Sequence, residues 1–182
     1  MTGIKETVTL PNGVTATISD GTLTVKGPKG DVSRSMKDPQ ITIKLQDNTI
    51  TMSSKKDTKR QKRTINSFVA HINNMAKGTQ QPYQYRLKIC SGHFPMNVSI
   101  SGDQLIVKNF LGEKSPRTLK LKKGASVKIE GDQILVESAD KELAGQMASD
   151  IELLTAKSNR DLRVFQDGIY MIEKAGNKIT EA

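Results

Sequence analysis

The sequence predicts an α+β protein of two tandem homologous domains, each a small, mainly antiparallel β-sheet packed against one α-helix, with a C-terminal extension on the second. Three observations predict it. The stretch Val14–Lys26 (VTATISDGTLTVK) returns as Met96–Lys108 (MNVSISGDQLIVK) at an offset of 82 positions, so that Ile18 falls on Ile100, Leu23 on Leu105, Val25 on Val107 and Gly30 on Gly112. Both copies alternate apolar and polar residues around Asp20-Gly21 or Gly102-Asp103, the period-two signature of two half-buried strands joined by a tight turn. A second hairpin follows in each copy, Ile41, Ile43 and Leu45 before Asp47–Met52, then Val127 and Ile129 before Gly131–Val136, now offset by 84 positions. Third, each copy runs into a helical pattern: Ile65, Phe68, Val69, Ile72, Met75 in the first and Leu143, Met147, Ile151, Leu154 in the second. Three-and-four spacing of this kind places one apolar face toward a core.

Taken in order, Thr7–Leu10 and the Pro11-Asn12-Gly13 turn predict a short opening strand. Lys26-Gly27-Pro28-Lys29-Gly30-Asp31 reads as a basic loop, since glycine and proline punctuate regular structure. It is not a nucleotide-binding loop, because no Gly-Lys-Ser/Thr closes it. Gly78-Thr79-Gln80-Gln81-Pro82 reads as a polar breaker and sets domains of 1–80 and 81–182. Tyr83–Cys90 alternates like a strand and opens the second unit. Lys157–Ala182 has no counterpart in the first copy, and RDLRVFQDGIYM, with its Asp-Gly turn, predicts a docking arm.

Composition narrows the function. Only 4% of residues are aromatic and Trp is absent, so each unit of this size builds a modest core. One cysteine, Cys90, excludes an internal disulfide framework and fits a reducing compartment. No apolar run has the length of a signal peptide or a membrane span, so the expectation is a soluble intracellular protein. The net charge is +9, from 28 Lys and Arg against 19 Asp and Glu. An excess of this size points to a polyanionic partner, nucleic acid first, with a merely solvated basic surface as the plain alternative.

The cations are clustered. Lys55, Lys56, Lys59, Arg60, Lys62 and Arg63 surround the single acid Asp57 and lead into the first helix. Cations in a first turn oppose the helix dipole by a few tenths of a kcal/mol each, so a negative partner explains the run better than folding does. The second helix starts Asp140-Lys141-Glu142, as the dipole prefers. In the second unit Lys108, Lys114, Arg117, Lys120, Lys122, Lys123 and Lys128 stand against one acid, Glu113. Around Leu119 and Leu121 the lysines alternate with leucines, which puts charge on one face and the core on the other.

Catalytic and metal readings fail on the residues present. Cys90-Ser91-Gly92-His93 offers two metal ligands, and His71 is the only other histidine, whereas a closed zinc site takes four. No orienting partner for a Cys–His nucleophile is identifiable, and no carboxylate pair stands out for acid–base work. The reading is non-enzymatic, without cofactor, metal, membrane or small-molecule substrate.

The duplicated unit, the KGPKGD stretch and the terminal RVFQDGIYMIEK closely resemble the universal large-subunit ribosomal protein family called "L six" in bacteria and "L nine" in eukaryotes. The terminal motif resembles the archaeal and eukaryotic branch, since the bacterial Gly-Lys-Gly-rich ending is missing. The resemblance implies a structural constituent of the large ribosomal subunit that binds large-subunit rRNA near the stalk base and factor-binding region, beside neighbouring ribosomal proteins. It implies that Arg160 and Arg163 meet phosphates and that Phe165 and Tyr170 anchor the arm, with simple packing an equal alternative to base stacking for the two rings. Folded RNA is recognised by shape, phosphates and 2′-hydroxyls, and Arg117, Arg160 and Arg163 can each offer a planar fork to a phosphate. No aromatic RNA-recognition motif appears, so reading of single strands is not expected. Two other classes stay open: a free RNA-binding or chaperone-like protein, and a protein-binding scaffold using Asp140, Glu142, Asp150 and Glu152 on the second helix.

Overall fold

The computed structural model describes residues 3–46, 48–158, 160–161 and 163–179. The chain divides into two compact units, Met1–Pro82 and Tyr83–Ala182.

The first unit holds six strands and one helix: β1 (Lys5–Thr9), β2 (Thr15–Ser19), β3 (Thr22–Gly27), β4 (Gly30–Ser35), β5 (Ile41–Gln46), β6 (Thr49–Ser54) and α1 (Lys59–Gln80). They form two antiparallel three-stranded sheets, ordered β2-β3-β4 and β1-β6-β5, where the sequence suggested one. Asp20 and Gly21 both take positive φ, 48° and 72°, the geometry a two-residue hairpin turn with matching twist requires. The helix lies against β3 and β4 of one sheet and β1 and β6 of the other. Ile65, Ile72 and Met75 of the helix are buried, as are Leu23, Val25, Ile50 and Met52 of the sheets, while Phe68 and Val69 are half-buried. Each full burial of such a side chain contributes about 1.5–3 kcal/mol.

Two readings of this unit need correction. Lys26–Asp31 is not an open loop: Gly27 pairs with Gly30, leaving only Pro28-Lys29 at the corner of a β3–β4 hairpin. Strand β4 escaped notice because Val32 is its single buried apolar residue, too little for a periodic signal. Nor does Gly78 break the helix. Gly78 and Thr79 are buried in α1, and Thr79 carbonyl accepts from Lys29 N–H at 3.0 Å. A Cβ on Gly27 would come within 2.8 Å of Thr79, so close packing of turn on helix overrides the roughly 1 kcal/mol helix cost of glycine.

The second unit repeats the plan with β7 (Tyr83–Cys90), β8 (Asn97–Ser101), β9 (Gln104–Lys108), β10 (Arg117–Lys120), β11 (Ser126–Glu130), β12 (Gln133–Ser138) and α2 (Lys141–Leu154), and adds β13 (Gly168–Lys174) and β14 (Asn177–Lys178). Its sheets run β10-β9-β8 and β11-β12-β7-β13-β14. Leu87, Leu105, Val107, Phe110, Ile134, Met147, Ile151 and Ile169 form the buried centre. The C-terminal extension is therefore not an arm set apart. Its β13 pairs antiparallel with β7 inside the sheet, Ile169 opposite Ile89, and Ile169 is 1% exposed. The Asp167-Gly168 pair is the entry to that strand, and the reversal comes later, between β13 and β14, at Ala175-Gly176. Among the described residues, no helix is long and apolar enough to cross a membrane.

Candidate nucleic-acid interface

The duplication lets equivalent positions be compared. Val25 of β3 faces Val32 of β4, and Val107 of β9 faces Arg117 of β10; Arg117 thus stands where the first unit has a core valine. The 82-position offset that aligned Gly30 with Gly112 does not survive this far, because a single 3-10 turn at Phe110–Gly112 and the exposed Glu113–Pro116 lengthen the connection. Arg117 makes internal contacts with all three guanidinium nitrogens. Nε and one Nη donate to Glu113 at 2.8 and 2.6 Å, and the other Nη donates to the carbonyls of Leu154 and Ala156 at 2.8 and 3.2 Å. Its guanidinium carbon sits 4.4 Å from the Phe110 ring centre. A cation placed on the unsatisfied carbonyls at a helix C-terminus is a stabilising arrangement. The Arg117 hydrogen bond and charge hold the Glu113 carboxyl below its usual range despite partial desolvation. The fork expected to meet a phosphate is engaged within the protein.

The remaining cations sort into engaged and unengaged groups. Lys122 bridges to Asp150 at 2.6 Å. Burial pushes the Asp150 carboxyl up, but the bonds from Lys122 and Gln146 prevail and its pKa is lowered. Arg163, with 90% of its side chain exposed, pairs with Asp161 at 2.9 Å; an exposed pair of this kind is worth little and opens readily. Arg160 lies over Phe165, 5.0 Å from the ring centre. By contrast Lys108, Lys114, Lys120 and Lys123 are exposed, and among the described residues none of them enters an ion pair. They lie on or beside β9 and β10, where Leu119 and, just past the strand, Leu121 pack half-buried on the core, as the lysine–leucine alternation predicts.

Lys55, Lys56, Lys59, Arg60, Lys62 and Arg63 are likewise exposed and outside any ion pair among the described residues. The α1 first turn contains no acid; the helix start is held instead by Thr58, whose hydroxyl oxygen accepts from Gln61 N–H at 3.3 Å, a normal capping arrangement. In α2 the cap is Asp140, accepting from Glu142 N–H at 2.9 Å.

The acidic residues of α2 do not form an open face. Asp140 caps the helix, Asp150 holds Lys122 and Gln146, and Glu152 accepts from the Met171 N–H of β13 at 3.0 Å. Glu142 also has a partner. The scaffold reading loses the surface it needed.

Sequence reasoning missed the segment that fixes the entry to β13. Asp167, 3% exposed, accepts from the backbone N–H groups of Gly92 and His93 and lies 3.2 Å from His93 Nδ1. Burial pushes its carboxyl up, yet these donors and the His93 charge outweigh burial, and its pKa is lowered. Lys157 Nζ donates to the carbonyls of Phe165, at 2.7 Å, and Asp167. Thr155 Oγ1 accepts from Ile169 N–H at 2.9 Å. The partners are 74 residues apart along the chain, so no local spacing announces them. Cys90 ends β7 opposite Gly168, and among the described residues no group of three or more His, Cys, Asp or Glu is placed to hold a metal.

The family model described as "Ribosomal protein L6" matches residues 10–81 and 94–168, one stretch on each unit. Among curated proteins named "Large ribosomal subunit protein uL6", that of Nanoarchaeum equitans is 43% identical over 98% of this chain and 97% of its own length. That of Aeropyrum pernix is 40% identical, over 94% of each chain, and that of Methanococcus vannielii 38% identical, over 95% of each. With two matched repeats, archaeal relatives along nearly its whole length, and lysines arrayed outward from both units, the chain belongs to the ribosomal protein L6 family, in its archaeal-type form.

Proposed function

We propose that this protein is a structural, non-catalytic constituent of the large ribosomal subunit that binds large-subunit rRNA near the stalk base and factor-binding region. The observation that carries the reading is the split among the cations of the second unit. Arg117 and Lys122 have internal partners, while Lys108, Lys114, Lys120 and Lys123, on or beside β9 and β10, are exposed and enter no ion pair among the described residues. Unpaired lysines on a packed sheet are a cost in self-repulsion that a phosphate backbone removes. Arg160 and Arg163 add to this surface, their single contacts being with a ring and with one exposed acid. The basic start of α1 is a second phosphate-binding surface, on the first unit. Arg117 supports the RNA-facing strand from within.

Changing Lys108, Lys114, Lys120 and Lys123 together to Ala in the full chain tests the reading. The variant should unfold like the wild type yet fail to co-sediment with large subunits, and cross-links from these positions in the wild type should fall on rRNA beside the stalk base. Normal incorporation of the variant, or cross-links to protein alone, would contradict it.

A further inference from the structure

The Cys90–His93 segment, which offers too few ligands for a metal site, is joined in space to the entry of β13. His93 stacks on Phe165 with ring centres 5.1 Å apart and planes 24° from parallel, and Arg160 lies over the same Phe165 ring. Two flat groups thus meet the Phe165 ring at one place, and the backbone carrying His93 and Phe165 is fixed from within. Buried Asp167 holds the Gly92 and His93 backbone, and Lys157 holds the Phe165 and Asp167 carbonyls. The outer layers are accessible: 40% of the His93 side chain is exposed, and Arg160 is exposed.

A second observation points the same way. Among the described residues, three of the five exposed large hydrophobic side chains lie next in sequence to this group or against Lys157. Phe94 follows His93, Val164 precedes Phe165, and the Tyr170 hydroxyl is 3.2 Å from Lys157 Nζ. Exposed apolar surface beside accessible arginines, one over a ring and one in an exposed ion pair, is costly for a protein that meets only water. It fits a ligand that is flat, apolar on its face and negatively charged at its edge.

We propose that Arg160, Phe165 and His93 form a stacking platform for one unpaired RNA base, with the exposed Arg163 serving the adjoining phosphate. This deepens the rRNA-binding reading and rests on it. It departs from the sequence expectation that single strands are not read. A base inside an A-form helix has both faces covered, so only an extruded or loop nucleotide can use a layered platform, and such nucleotides are what proteins stack on aromatic rings and guanidinium planes. Because Asp167 and Lys157 order the layers before RNA arrives, little ordering is left to binding.

The test uses the full chain with wild-type, Arg160→Lys and Phe165→Leu forms, large-subunit rRNA, and base-methylation probing beside affinity measured over a salt series. Arg160→Lys keeps the charge and loses the plane; Phe165→Leu keeps apolar bulk and loses the ring. Each should weaken binding about five- to hundredfold, the range for loss of one stacked base, without altering the salt slope. One unpaired base protected by the wild type should become reactive in both variants. Wild-type affinity in both variants, or protection confined to paired RNA, would overturn the platform while leaving the rRNA reading in place. A loss seen only when another ribosomal protein is present would assign the platform to a protein partner and overturn it as well. Failure of the wild type itself to bind rRNA would bring down the functional reading on which the platform rests.

Discussion

Arg117 separates two uses of a positive charge that look alike in sequence. Its guanidinium closes a helix end, ion-pairs with Glu113 and covers Phe110. Hydrogen bonds to charged groups are worth about 1.5–3 kcal/mol, so Arg117→Ala should lower stability by about 2–3 kcal/mol in urea unfolding. Arg117→Lys should recover only part of that, since an ammonium cannot replace the fork. Affinity for RNA, measured where both variants are folded, should change little. Asp167 is the acidic counterpart. Its carboxyl titrates below the ordinary range in the fold, so its contribution is present above the unfolded carboxylate pKa and is lost as pH falls through the lowered folded value. Stability measured from neutral pH downward should therefore drop more steeply in wild type than in Asp167→Asn, which should already be the less stable protein at neutral pH. Equal pH slopes would remove Asp167 from the structural account.

Among the elements, α1 carries a conflict between folding and partner. Lys59 and Arg60 occupy its first turn with no acid beside them, against the helix dipole. Arg60→Glu should raise stability by about 0.3–1 kcal/mol at low salt while weakening RNA binding; a variant that loses stability and keeps its affinity would show that the run serves the fold. Gly27 tests the packing of turn on helix. Gly27→Ala brings a methyl within 2.8 Å of Thr79, and overpacking of this kind costs about 1–3 kcal/mol, readable as a lower unfolding midpoint. These elements also show what the sequence could and could not reveal. The paired hairpins and both helices were legible because Leu23, Leu105, Ile65 and Met147 recur at strand or helix period and are all buried. Strand β4 was not, with one buried valine, and the end of α1 was not, because Thr79, next to Gly78, meets a turn fifty residues earlier in the chain. The unengaged lysines were legible as charge. That Arg117 is engaged, and that His93 meets Phe165, depends on contacts between distant segments that no local pattern encodes.

For the molecule as a whole, duplication explains both the likeness of the two units and their division of labour. The same hairpin–hairpin–helix plan recurs, but the second unit inserts β13 beside β7, and the first starts its helix with cations and no acid where the second has Lys141 beside Glu142. Among the described residues, cations outside any ion pair gather on or beside β9 and β10 and at the start of α1, and the α2 carboxylates are engaged. A chain built in this way is suited to a polyanion held by many separate contacts. Such contacts release counterions, so affinity falls linearly with salt on logarithmic axes, with a slope of about 0.7–0.9 per phosphate contact. The most direct measurement is that slope for the full chain on large-subunit rRNA, in wild type and with Lys108, Lys114, Lys120 and Lys123 changed to Ala. A steep wild-type slope that becomes shallower by about 3 in the variant is the predicted result. A shallow wild-type slope, or one untouched by the four substitutions, would contradict the claim that these lysines bind the phosphate backbone.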